Sequence, residues 1–110
     1  MQVLSIINQP GPLPIQAQFK APLDGPALLV VTGSLWASSA NVLMQMNVYL
    51  DGALVATAQM FSNGSSTHRV LPTMFISLPL SFGPHTLQLA LSGSSVTSDL
   101  NDFFSAAILY

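Results

Sequence analysis

The chain has no cysteine, no glutamate and only two basic residues, and each absence removes a class of function. Without cysteine there is no disulfide, no thiolate metal site and no cysteine nucleophile. Stability beyond the core must then come from packing or association. Lys20 and Arg69 cannot neutralise a run of phosphates, and the formal net charge is −2, so no nucleic acid is expected as a partner. Charged residues make up 5% of the chain, against about 25% in a typical soluble domain. Copies of such a surface repel one another weakly.

Long hydrophobic runs are also missing. Half of the residues are hydrophobic and the mean hydropathy is +0.56, yet Pro, Gly, Ser and Asn break every run well short of the roughly 18 apolar residues a spanning helix needs. No membrane span is expected. The opening MQVLSIINQPGPLP has neither the basic start nor the long apolar segment of a secretory leader. The expectation is a chain that does not use that route, or one whose leader has been removed. At 110 residues the length suits one domain, residues 1–110, with one core.

What is present is strand periodicity. Val42, Met44, Met46, Val48 and Leu50 fall on one face of an extended segment, with Leu43, Gln45, Asn47 and Tyr49 on the other. Asp51-Gly52 follows, a pair in which both residues accept positive φ, and Ala53 to Phe61 resumes as a strand; this predicts a hairpin. His85, Leu87, Leu89 and Leu91 alternate with Thr86, Gln88 and Ala90 between Gly83-Pro84 and Gly93. Val3 to Ile7, Ile15 to Phe19, Pro26 to Ala37, His68 to Leu78 and Asp102 to Tyr110 complete a set of about eight strands. No window sustains a helical i, i+3, i+4 pattern. The fold class predicted is all-β, an antiparallel two-sheet sandwich of the jelly-roll kind with about eight to ten strands.

The last segment is apolar on both faces. Phe103, Ala107 and Leu109 lie on one, Phe104, Ala106, Ile108 and Tyr110 on the other. A sandwich strand normally has one wet face, so two apolar faces imply a second covering surface, and another copy of the chain can supply it. The alternative is a strand in mid-sheet whose outer face the amino-terminal segment covers.

The run Gly83-Pro-His-Thr-Leu-Gln-Leu-Ala-Leu91, a polar loop, and Asp99-Leu-Asn-Asp-Phe-Phe-Ser-Ala-Ala-Ile-Leu-Tyr110 resembles the closing strands of tumour necrosis factor and C1q-like jelly rolls, as does the turn at Leu50-Asp51-Gly52. The resemblance spans about a third of the chain. It implies a tight homotrimer with the final strand near the threefold axis and with Tyr49, Gln88, Phe104, Ile108 and Tyr110 facing that axis. The chain departs from the pattern in being shorter and nearly uncharged, which weakens the case for receptor binding.

Few side chains can carry chemistry. Serines, His68, His85, Asp99 and Asp102 contain the parts of a hydrolase triad, but no Gly-x-Ser-x-Gly elbow organises them. Asp24, Asp51 and Asp99 read as turn residues. An Asp99, Asn101, Asp102 oxygen cluster suits calcium in chemistry but matches no known loop spacing. Three copies of His85 around an axis would make a metal site, although a histidine after Gly-Pro is more often a capped surface residue. No metal, cofactor or catalytic residue is therefore assigned. For carbohydrate, Trp36 offers an aromatic platform beside a polar loop, with Asn41, His68 and Arg69 as polar partners. Asn63-Gly64-Ser65 matches a glycosylation acceptor. The expectation is a non-catalytic homotrimeric assembly or recognition module, with a lectin-like sugar binder and a fibre, capsid or shell component as alternatives.

Overall fold

The computed structural model describes residues 1–110 and contains strands and turns but no helix. The strands are β1 (Val3–Pro10), β2 (Ile15–Ala21), β3 (Gly25–Thr32), β4 (Ser34–Ala37), β5 (Val42–Leu50), β6 (Ala53–Ser62), β7 (Arg69–Val70), β8 (Met74–Leu80), β9 (Gly83–Ser92), β10 (Val96–Thr97) and β11 (Phe103–Leu109). Eight of them build two four-stranded antiparallel sheets, ordered β1-β11-β3-β8 and β2-β9-β5-β6. Every connection between successive long strands crosses from one sheet to the other except the β5–β6 hairpin. That is the jelly-roll pattern, and the molecule is a two-sheet sandwich of this type.

Two long apolar segments are interrupted where the backbone demands it. Pro26 to Ala37 divides at Gly33 into β3 and β4, and His68 to Leu78 divides around Pro72 into β7 and β8. The short pieces form a third sheet, β10-β4-β7, at one end of the sandwich, with Thr97 opposite Trp36 and Leu35 opposite Arg69. The Asp51-Gly52 turn has φ of 51° and 83°, the two left-handed residues that match the strand twist in a tight hairpin. Further along β6 the register with β5 shifts between Val48 and Tyr49, so Val55 is a bulge.

The core is one cluster in which Met44, Met46 and Val48 of β5 meet Leu87 and Leu89 of β9, Leu29 and Val31 of β3, and Phe104, Ala106 and Ile108 of β11. This corrects the axis-facing reading of Phe104 and Ile108. Both are sealed inside the sandwich, at 0% and 1% exposure. Strand β11 lies in mid-sheet between β1 and β3, so its heavier face turns inward while Phe103, Ser105, Ala107 and Leu109 turn out. A slot decides which face is buried: a Cβ on Gly33 would lie 2.5 Å from Phe104 Cδ1, and one on Gly11 would lie 3.1 Å from Cε2. Two glycines make room for one ring. Tyr110 is half-buried at the end of the same segment, and Tyr49 and Gln88 stand opposite each other on the outside of the other sheet. The five residues therefore share no common surface.

Candidate functional site

Two places gather polar side chains. The first is at the end of the sandwich that carries the small sheet. Strand β4 brings Ser34 and Trp36, the segment before β7 brings His68, and the turn after β10 brings Asp99 and Asp102. The turn is built by its own carboxylates: Asp99 Oδ1 accepts from the Asn101 N–H at 2.8 Å, and Asp102 Oδ2 accepts from the Asp99 N–H at 2.9 Å. Asp102 is fully buried, and its other oxygen accepts from Ser34 Oγ at 2.6 Å and from His68 Nδ1 at 2.8 Å. A buried carboxylate needs such donors to offset its lost hydration.

The Nδ1 hydrogen bond leaves the far nitrogen of His68, Nε2, pointing at Asp99 Oδ2 across 3.8 Å. Both of these groups are more than a third exposed. The hydrogen bond that His68 donates to Asp102 holds the His68 pKa above its usual value, with the charges of Asp102 and Asp99 adding to it against partial desolvation. The Trp36 ring leans on His68 with centroids 6.0 Å apart, and its Nε1 is buried without a hydrogen-bond partner.

Of the four ligand-binding residues expected from sequence, the structure joins Trp36 and His68. Arg69 turns to Ser62, donating from Nε at 3.3 Å, and forms no ion pair. Asn41 is an exposed turn residue with φ 58°. Because Trp36 is largely covered, it is not the open platform the sequence suggested. Asp102 was the residue sequence reasoning undervalued, and the polar spelling Ser-Asp-Leu-Asn-Asp gave no sign that its last carboxylate turns inward.

His85 forms a separate pair at the opposite turns. Its Nδ1 faces Asp51 Oδ2 at 2.6 Å and its Nε2 faces the Ser81 carbonyl at 2.7 Å, while the ring stacks on Phe19. Both nitrogens are engaged, so the threefold metal arrangement of His85 has no free ligand atom to use.

The second polar place is the outer face of β2-β9-β5-β6. The register sets Gln16, Gln88 and Tyr49 in one row, Asn47 and Thr57 in the next, and Gln45 and Gln59 in a third. Thr57 Oγ1 donates to Asn47 Oδ1 at 2.9 Å, and Asn47 Nδ2 donates to the Tyr49 hydroxyl at 3.3 Å. Phe61 lies exposed beyond Gln59 on the same face of β6. The face carries one charge, Lys20, whose ammonium sits over the Phe82 ring at 5.2 Å. No pocket indents the molecule.

No protein-family model matches the sequence, and no curated protein matches it. The tumour necrosis factor and C1q resemblance is thus supported only as far as a jelly-roll fold. Among solved structures the chain is similar to part of dimeric latent PorU from Porphyromonas gingivalis, with a TM-score of 0.64 and 12% identity over 97% of this chain but only 12% of that one. It is also similar to the CBM36-1 domain of a multidomain xylanase from the hindgut metagenome of Trinervitermes trinervoides, with a TM-score of 0.54 and 10% identity over 99% of this chain and 96% of that one. A looser likeness, TM-score 0.48 and 14% identity, covers 97% of this chain and 32% of the infectious bursal disease virus VP2 chain. At these identities the likeness is one of fold.

Proposed function

We propose that this chain is a non-catalytic recognition module that binds a neutral, hydroxyl-rich chain, a carbohydrate being the best chemical match, across the outer face of β2-β9-β5-β6. The observation that carries this reading is the three adjacent rows of amides and hydroxyls at Gln16, Gln88 and Tyr49, at Asn47 and Thr57, and at Gln45 and Gln59, flanked by exposed Phe61. Amides offer donors and acceptors side by side, as sugar hydroxyls require, and an aromatic ring covers the apolar face of a pyranose. A surface without pockets suits an extended ligand lying along strands rather than an enclosed small molecule. The sandwich resembles a xylanase's carbohydrate-binding domain in fold, which is compatible with this use. A glycan array tests it. Saturable binding to neutral oligosaccharides, weakened at least tenfold in Phe61→Ala and Asn47→Ala but not in Trp36→Ala, is expected. An array with no signal for the neutral glycans, or binding that follows Trp36, would sink it.

Self-assembly is the second reading, favoured by a different observation. The strands β1, β11, β3 and β8 contain no ionisable residue at all. Their outer face sets Val3, Leu109 and Leu28 in one row and Ala107, Val30 and Phe75 in the next, with Val3 64% and Phe75 67% exposed. Such a patch suits association with further copies, including a trimer or a shell. Light scattering decides: a trimer that Val30→Asp dissociates supports it, and a monomeric wild type at micromolar concentration rules it out.

A further inference from the structure

The geometry points to a divalent transition-metal site, suited to zinc, held by His68 Nε2 and Asp99 Oδ2 at the small-sheet end of the sandwich, with Asp102 orienting the imidazole. Asp102 Oδ1 accepts from His68 Nδ1 at 2.8 Å, so Nδ1 carries the hydrogen and the neutral ring presents a bare lone pair at Nε2. That lone pair faces a carboxylate oxygen 3.8 Å away. Two electron-pair donors opposed across a gap leave a place for a cation. The gap is too wide for a good hydrogen bond, whose heavy atoms lie within about 3.2 Å. A metal with bonds of about 2.0–2.2 Å to nitrogen and oxygen spans it at an angle open enough for tetrahedral or wider coordination.

The surroundings fit. A ligating histidine that donates its other N–H to a buried carboxylate is the arrangement that fixes ring orientation and raises ligand basicity. Here the orienting carboxylate is fully buried and anchored by Ser34 Oγ and the Asp99 N–H. The ligand atoms of His68, Asp99 and Asp102 all lie within 4.8 Å of one another. Both direct ligands are exposed enough for water, or for a group on a partner, to complete the shell. The imidazole nitrogen favours zinc over calcium and magnesium, which take oxygen ligands. No other cluster competes, because both ring nitrogens of His85 are already engaged.

Calorimetry with zinc chloride on the intact chain at pH 7.5 tests the site, with Trp36, the only tryptophan and in contact with His68, as a fluorescent reporter. Saturable one-to-one binding is expected, at least tenfold weaker in His68→Ala and in Asp99→Asn and unchanged in His85→Ala. Calcium should not compete. A proton and the metal contend for Nε2, so affinity should rise with pH across the histidine range. Circular dichroism checks that each variant is folded. Asp99→Asn alone suffices if His68→Ala is not, since asparagine keeps the oxygen that Asn101 uses. Zinc binding that survives both changes, follows His85, or never saturates up to millimolar zinc overturns the assignment. The sheet-face reading is untouched by that outcome, because the sites share no residue.

Discussion

His85 and Asp51 are joined by a hydrogen bond of 2.6 Å while the other ring nitrogen meets the Ser81 carbonyl at 2.7 Å. An imidazole with an acceptor at each nitrogen is satisfied only when both carry hydrogen, so this setting favours the protonated ring. It fastens the β5–β6 turn to the β8–β9 turn.

The pH dependence follows. The Ser81 carbonyl and then the Asp51 carboxylate raise the His85 pKa above 6.5, and the hydrogen bond from His85 lowers that of Asp51 below 3.8. A raised histidine stabilises the fold fully below about 6.5 and loses that contribution as pH climbs through its folded value; the lowered aspartate loses its own as pH falls below 3.8. His85→Ala should therefore cost most near pH 5 to 6, about 1 kcal/mol after allowing for the half-exposed Asp51. The melting-temperature gap between wild type and variant should close toward alkaline pH. A gap that is constant with pH would show packing on Phe19 to be the whole effect.

Phe104→Ala, Ile108→Ser and Leu87→Ser should all behave alike. Each side chain is at most 1% exposed, and large core truncations cost about 2–5 kcal/mol. Chemical denaturation should show all three destabilised, with no change of oligomeric state while folded. Selective dissociation by the two β11 variants would contradict the burial of that strand's inner face.

The strands were legible because alternation and turn residues act locally. The Asp51-Gly52 hairpin and the two faces of β5 stand as their spelling implies. The two faces of β11 were legible as well, but not which of them goes inside. That depends on Gly11 and Gly33, distant in sequence, leaving a slot for Phe104. The β10 strand, two residues in a polar loop, exists only because β4 offers it an edge. The first candidate site was hidden for the same reason: His68 and Asp102 are separated by 34 positions and meet only across the third sheet. The row of amides was open to reading in β5 alone, and its extension over β2, β9 and β6 needed the register.

Gly33→Ala tests the slot directly. The new Cβ would fall 2.5 Å from Phe104 Cδ1 and 2.8 Å from Cε1, so the ring must shift, at about 1–3 kcal/mol. Combining the change with Phe104→Leu should recover part of that loss in denaturant titrations. Strictly additive losses would show that the ring is not what the glycine accommodates.

Asp102→Ala should be worse than Ser34→Ala. It strands the Ser34 hydroxyl, the Asp99 N–H and the His68 Nδ1–H, for about 2–4 kcal/mol, whereas Ser34→Ala removes a single donor. Thermal melts of the two variants at pH 7 compare them. Equal losses would mean that water replaces the carboxylate freely.

The sheet edges differ in how they meet other chains. β8 carries exposed Pro79, β1 ends at exposed Pro10, and β2 carries Lys20, all of which discourage another strand from pairing there. β6 has neither proline nor charge, and past the bulge at Val55 it runs uninterrupted from Ala56 to Ser62. A partly loosened molecule therefore has one ready direction of growth, strand addition along β6. Gln59→Lys should delay heat-induced turbidity more than the same change at Gln18, and equal delays would place the vulnerable edge elsewhere.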